Sequence, residues 1–175
     1  RSGDIQLLLY TVFRQGQPVA NITWDSVQEI KDLPEVNWVV PLSLGDSHRG
    51  FPVVGTDTGY FKHYKYSTKK QIQFHKGSQF QNTYDVVLGS EVAKTLNYAL
   101  NDVVYMSHGM AKGPLKVHKN NPFKVVGILK PTHTPIDKTL HIKLEGMTAL
   151  HVNWNTINKN QINSIDLTPT SITGA

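Results

Sequence analysis

The stretch YDVVLGSEVAKTLNYALNDVV, residues 84–104, decides the fold of the chain. The apolar run before Gly89 predicts a strand, and the residues after it predict a helix. Ser90 is the expected N-cap, because a serine hydroxyl can accept a hydrogen bond from the first turn. Val92 and Leu96 lie four residues apart and therefore on one face of that helix. The stretch thus predicts a strand that leads directly into a short amphipathic helix.

Further strands are predicted on the C-terminal side of this helix, separated by turns rich in Gly, Pro and Asn. A helix is not predicted there, so this part of the chain is expected to be mostly β with one helix. The predicted strands are residues 103–108, 114–118, 123–129 and 139–144.

The N-terminal part of the chain has the predicted order β-α-β-β. Its helix has Thr23 or Asp25 as possible caps and ends near Pro34. Residues 44–50 are rich in turn formers, and one more strand is predicted close to the C-terminus. The predicted elements are strands 4–13, 36–42, 51–57 and 162–169 and helix 22–34.

The composition is that of a globular protein. Of 175 residues, 39% are hydrophobic and 18% are charged, which is sufficient for one large domain or two small ones. The absence of cysteine excludes disulfides and thiol chemistry. The net charge of +5 favours contact with acidic surfaces, but the lysines are scattered along the chain.

The ordered pattern over 84–104 and 121–142 resembles the periplasmic domain of MacB-like ABC transporter permeases, which share the FtsX-type membrane fold. Asn101 departs from the family pattern, in which Gly usually precedes Asp102, but asparagine tolerates a left-handed backbone. The segment VVGTD, residues 53–57, also fits the place where family members enter their second subdomain. The other matching residues are Gly89, Ser90, Glu91, Ala93, Leu96, Phe123, Val125, Gly127 and Ile128.

The resemblance implies an α+β fold with two subdomains. A porter-like β-α-β-β subdomain would be formed by both chain ends, residues 1–57 and 151–175, with strands 4–10 and 162–167 paired. Residues 58–150 would form an inserted, mostly-β subdomain with one helix. The whole would be a loop between the first and second membrane helices of the permease, in the periplasm and attached to the inner membrane.

The resemblance also implies a function without bond chemistry. The domain would transmit motion driven by a cytoplasmic ABC ATPase to a periplasmic substrate or partner. A second permease copy and a periplasmic adaptor or substrate-binding protein are the other implied partners. We expect no enzymatic activity, no cofactor and no nucleic acid.

The segment GTDTGYF, residues 55–61, predicts a hinge between the two subdomains, with Gly55, Asp57 and Gly59 as the hinge residues. Asp-Thr-Gly is also the motif of aspartic proteases, so a hydrolase that uses Asp57 is an alternative. That chemistry needs a second carboxylate and a small residue after the motif. Here Tyr60 follows, and the sequence has no second motif. An ordinary turn is therefore favoured.

Eight histidines suggest a second alternative, a metal-handling transporter domain, for example for zinc. None has tight metal-ligand spacing, and His133 and His141 are the candidate ligands because they are near in sequence. Alternation along their strands predicts that His118 and His141 face solvent. A third alternative is a nucleic-acid module that uses the lysines and tyrosines of residues 62–70, for which a solvated surface loop is the favoured interpretation.

Overall fold

The structure, a computed structural model, describes residues 22–67, 69–108 and 117–151, together with Phe13. The helices are α1 (Trp24–Lys31), α2 (Gly59–His63), α3 (Ser90–Leu96) and α4 (Leu144–His151), with a 3-10 helix at Pro135–Lys138. The strands are β1 (Leu42–His48), β2 (Phe51–Thr56), β3 (Lys65–Tyr66), β4 (Lys70–Gln71), β5 (Phe74–Gly77), β6 (Asp85–Leu88), β7 (Val103–His108), β8 (Val117–Leu129) and β9 (Leu140–Lys143). The predicted α+β fold class is confirmed.

Helix α1 lies inside its predicted range and begins at the predicted cap. The Thr23 hydroxyl oxygen accepts a hydrogen bond from the backbone N–H of Ser26 at 3.2 Å. Asp25 is not the cap but lies in the first turn, where its charge favours the helix dipole. The helix ends at Lys31, before Pro34.

The prediction of a strand over residues 36–42 followed by a turn over 44–50 is wrong. Residues 36–41 have no regular structure, β1 runs from Leu42 to His48, and the turn is confined to Arg49 and Gly50, both with positive φ. The polar residues of β1 form a strand because β1 pairs with β2 on one side and with β7 on the other. Tertiary pairing has overridden local propensity here.

The N-cap of α3 is Gly89 rather than Ser90, which is the first residue of the helix. A glycine is required there because a Cβ would lie 2.4 Å from the backbone oxygen of Asp137. The helix ends in a left-handed Asn97 with φ of 54°. Asn101 has φ of 74°, so the expectation that it adopts a left-handed turn is confirmed.

Two predicted strands, 114–118 and 123–129, are joined in the structure. Strand β8 is continuous from Val117 to Leu129, because it pairs with β7 along its first part and with β5 and β6 along its last. The sequence also gave no indication of α4. This helix is short and is buried at Gly146, Met147, Ala149 and Leu150, so it lacks the polar face that makes a helix recognisable.

Six strands form a closed ring. The main sheet has the order β5-β8-β6-β9-β2-β1-β7, and β7 also pairs with β8. The ring is therefore β8-β6-β9-β2-β1-β7 and back to β8. Strand β5 pairs with the C-terminal end of β8. Lys124 of β8 is paired on one side with Asp85 of β6 and on the other with Val103 of β7. The closure makes these strands one body.

The core occupies both faces of β6. Val86 and Leu88 belong to the larger cluster, which is completed by α3 and α4. Val87 points the other way, into an aromatic cluster with Tyr60, Phe61, Phe80, Ile72, Leu129 and Ile136. A strand that is buried on both faces explains why its sequence is a continuous apolar run.

The sheet continues across residue 57, where the sequence predicted a boundary. Strand β2 pairs with β9 from Val53–Leu140 to Thr56–Lys143, so residues 42–56 and 74–143 share one sheet. The predicted pairing of strands 4–10 and 162–167 lies outside the described residues. The division into 1–57 plus 151–175 and 58–150 depends on those segments and stays a prediction.

Candidate functional site

Asp57 lies in the short connection between β2 and α2. Partial burial raises the pKa of its carboxyl group above the ordinary value, and the N–H groups of Gly59 and Tyr60 act in the opposite direction. The charged groups that act on it are Lys31 and His63, and both lower its pKa. Burial outweighs these effects, and the groups that act on Asp57 do not include the second carboxylate that a protease dyad needs.

The two glycines predicted as hinge residues lie in different surroundings. Gly55 is inside β2, which pairs with β1 and β9, and its Cα faces helix α4. A Cβ at Gly55 would be 2.9 Å from the Cβ of Met147, so this glycine allows the helix to approach the strand. Gly59 begins α2, and a Cβ there would meet the Oδ1 of Asp57 at 2.8 Å. The hinge role of Gly55, Asp57 and Gly59 stays a prediction.

His141 does not face solvent, and that prediction is wrong. It is fully buried in β9, with its ring 5.2 Å from that of Tyr60 and 5.9 Å from that of Phe61. Alternation misplaced it because β9 lies between β6 and β2 and is covered on both faces. The side chain of His118 lies outside the described residues.

His133, the other candidate metal ligand, is exposed in a turn with φ of 59°. This turn is held by the buried carboxylate of Asp137, which accepts hydrogen bonds from the N–H groups of Thr132 and His133 at 2.8 and 2.7 Å. The Thr132 hydroxyl donates to the same carboxylate at 2.8 Å. Within the described ranges, no three His, Asp or Glu side chains come together as a metal site.

The lysine- and tyrosine-rich run lies at the surface, with Lys62, Lys65, Lys69 and Lys70 exposed, but it is not a loop. Residues 62–70 form the end of α2 and most of the β3–β4 hairpin. The rings of Tyr64 and Tyr66 pack against the aromatic cluster, and Tyr64 stacks on Tyr60 with 5.0 Å between ring centroids. These rings are occupied by packing and are not displayed as a platform for stacking bases.

His48 links three parts of the fold that the sequence did not connect. Its Nδ1 is 2.7 Å from the carbonyl oxygen of Tyr105 in β7, and its Nε2 is 3.0 Å from the hydroxyl of Tyr98, just after α3. A neutral ring that donates from Nδ1 and accepts at Nε2 satisfies both contacts. Burial lowers the pKa of His48, and the charge of Arg49 lowers it further.

An open cavity of about 330 Å³ lies between β5, α3 and the end of β8. Its wall includes His75, Lys76 and Lys94, and its floor is formed by Ala93 and Ile128. Nothing in the spacing of these residues indicated that they meet. They come from three elements that the tertiary pairing of β5 with β8 brings together.

Comparison with known proteins agrees with this architecture. The family model described as the MacB-like periplasmic core domain matches residues 2–171, nearly the whole chain. The chain belongs to this family. It is thus a MacB-like periplasmic domain of an ABC transporter permease, located in the periplasm or outside the cell.

Two solved structures resemble the MacB-like domain at low identity. The periplasmic region of MacB from Actinobacillus actinomycetemcomitans is 13% identical with a TM-score of 0.51, over 78% of this chain and 61% of that one. The extracellular domain of the noncanonic ABC-type transporter YknZ from Gram-positive bacteria is 15% identical with a TM-score of 0.49, over 82% of this chain and 77% of that one. The MacB region shows the shared fold.

No curated protein sequence matches the chain. Among the helices of the described segments, none is both long enough and apolar enough to cross a membrane.

Proposed function

We propose that this MacB-like domain transmits motion driven by a cytoplasmic ATPase to a substrate or partner outside the membrane. The observation that carries the proposal is the closed ring of β8, β6, β9, β2, β1 and β7. In a closed sheet each strand is held by ladders on both sides, so the ring moves as a unit rather than deforming strand by strand. The domain itself carries out no bond chemistry.

The movable joint proposed here is residues 36–39, between α1 and β1. The next two residues are held, because Val40 packs against the aromatic cluster and the Pro41 carbonyl oxygen accepts a hydrogen bond from the Thr56 hydroxyl at 2.9 Å. The joint itself has no regular structure, whereas Gly55 is fixed in a strand with two neighbours.

Trp38 lies in this joint, and its ring stacks on that of His63 at the end of α2, with centroids 4.9 Å apart and an interplanar angle of 10°. Trp38 is 53% exposed, so breaking this contact uncovers only the part of its surface that is still covered, at a cost of roughly 2–3 kcal/mol, which ATP-driven motion can supply.

In the full-length permease, the partners would be an ATPase subunit and a second permease copy. Both follow from membership of the family. A periplasmic adaptor or substrate-binding protein is a further proposed partner, and the inner membrane of the bacterium is the proposed location.

Locking the joint tests the proposal. The chain contains no cysteine, so Trp38→Cys with His63→Cys gives this domain a single pair of thiols that a short bifunctional reagent can join. The control pair is Lys65→Cys with Gln71→Cys, which are exposed partners across the β3–β4 hairpin. Joining the control pair restrains a hairpin that is already paired.

We expect the lock at positions 38 and 63 to reduce transport and transport-coupled ATPase activity in the full-length permease. The uncross-linked double variant and the cross-linked control should keep both activities. If the locked protein kept both at the level of the control, the mechanical role would be wrong. Cleavage of peptides at acidic pH that is lost in Asp57→Asn would instead support the hydrolase.

A further inference from the structure

The cavity between β5, α3 and β8 has basic side chains on its wall and apolar side chains on its floor. Lys76 of β5 and Lys94 of α3 lie on its wall, together with the imidazole of His75. Its floor is apolar, because it is formed by the side chains of Ala93 and Ile128, which lie deep in the fold at 7% and 8% exposure. A basic wall above an apolar floor is complementary to a molecule that has an anionic head and an apolar body.

The positive charges of this wall are not neutralised within the described part of the chain. The described lining includes no Asp or Glu. Glu91, the acidic residue next to Ser90 of the lining, forms an ion pair with Lys138 at 3.5 Å. Lys76 and Lys94 form no ion pair with any described residue. Their ammonium groups are therefore available to an anion from outside.

The polar groups around the wall add directed contacts. The hydroxyl of Ser90 and the ring of Tyr98 also line the cavity. The Tyr98 hydroxyl is 3.0 Å from Nε2 of the buried His48, which fixes the position of that ring. Among the described residues, the Ser90 hydroxyl has no hydrogen-bond partner. It can therefore donate to an anionic oxygen of a ligand.

We propose that this cavity binds a small anionic amphiphile, a phosphate monoester or similar head group that carries an alkyl or acyl chain. The two ammonium groups hold the head group and the floor takes the first part of the chain. The volume of about 330 Å³ lies near the lower end of the roughly 300–1,000 Å³ range of small-molecule pockets. The site therefore takes a head group with a short length of chain, and the rest extends into solvent.

The probe is octyl phosphate, titrated into the 175-residue chain and followed by NMR. We expect shifts clustered at Ala93, Ile128 and the residues around Lys94. Methyl phosphate, which lacks the chain, and octyl glucoside, which lacks the charge, should each bind about tenfold more weakly or worse. Equal binding of methyl phosphate would overturn the role of the floor, and equal binding of octyl glucoside would overturn the role of the charge.

Lys76→Gln and Lys94→Gln should each weaken octyl phosphate binding about fivefold, which corresponds to one partly screened charge contact. Both side chains are exposed, so the variants should fold normally. Lys62→Gln is the matched control, because it removes an exposed lysine outside the cavity and should bind like the parent chain. Parent-like affinity in the Lys76→Gln, Lys94→Gln double variant, or shifts scattered over the surface, would refute the site.

Two sources could supply such a ligand, a bilayer lipid or a free amphiphile. Flotation with vesicles that contain phosphatidic acid in phosphatidylcholine separates them. Co-flotation that is lost in the double variant would support the site and assign the ligand to the bilayer. Octyl phosphate binding without co-flotation would support the site and assign the ligand to the free pool. The proposal does not depend on the mechanical role, because binding is measured on the isolated chain.

Discussion

Replacing Gly55 with alanine separates two roles for this glycine, a hinge and a packing contact. The added Cβ would lie 2.9 Å from the Cβ of Met147, and the Cγ and Cε of the same side chain are each 3.4 Å away. The closest clash involves a Cβ, which cannot rotate away. Helix α4 must therefore shift by about 0.5 Å to restore ordinary contact.

The expected cost follows from two opposing effects. Overpacking a closely packed core costs about 1–3 kcal/mol. Removing the conformational freedom of glycine from the unfolded chain gives back about 0.4–1 kcal/mol. Gly55 is not among the residues with positive φ, so alanine adds no backbone strain. We expect Gly55→Ala to lower the free energy of unfolding by about 0.5–2 kcal/mol.

Urea unfolding of the isolated chain measures this loss, and coupled ATPase activity of the full-length permease measures the functional effect. Gly59→Ala is the comparison at the second proposed hinge glycine, because its Cβ would lie 2.8 Å from the Oδ1 of Asp57 and would displace that carboxylate from the N–H groups of Gly59 and Tyr60. We expect its free energy of unfolding to fall by about 0.5–2 kcal/mol. A fully stable Gly55→Ala variant that lost coupled activity would refute the packing argument and favour the hinge.

Three further predictions concern polar groups that are buried or partly buried. Asp137→Ala should lower the free energy of unfolding by about 2–3 kcal/mol in urea titrations, since Thr132 and His133 lose their charged acceptor; a loss below about 0.5 kcal/mol would contradict this. The folded-state pKa of His48 is lowered, so stability should fall as the pH drops below about 6.5; His48→Gln should show a smaller slope, and an identical slope would be contrary evidence. The folded-state pKa of Asp57 is raised, so ionisation of this group makes the stability fall as the pH rises above about 3.9. The Asp57→Asn variant should not show this decrease and should be at least as stable as the parent at pH 7. Thermal unfolding between pH 3 and pH 7 measures both.

Elements with strong local signals were predictable from the sequence. The strand before Gly89 and the helix after it lie where the apolar pattern placed them. The left-handed Asn101 was also predictable, because asparagine tolerates that backbone conformation. The cap was misplaced by one residue, since the need for glycine comes from the loop at Asp137, which is distant in sequence.

Features that depend on long-range pairing were not predictable. His141 was assigned to the solvent because alternation assumes that one face of a strand is exposed, and β9 has none. The buried contacts of His48 depend on β1 lying beside β7. The cavity depends on β5 pairing with β8, which places Lys76 and Lys94 on one wall. Local patterns in a single sequence contain no signal for contacts between residues so far apart along the chain.

The closed ring also determines how this domain comes apart. An open sheet can fray from an edge strand, but each strand of the ring must break two ladders before it can leave. Amide hydrogens of β6 and β9 should thus exchange only through rare, cooperative opening of the whole ring. Those of the two-stranded β3–β4 hairpin, outside the ring, can exchange through local opening. Among the described segments, proteases should accordingly cut first near residues 65–71, and the nicked ring should stay assembled.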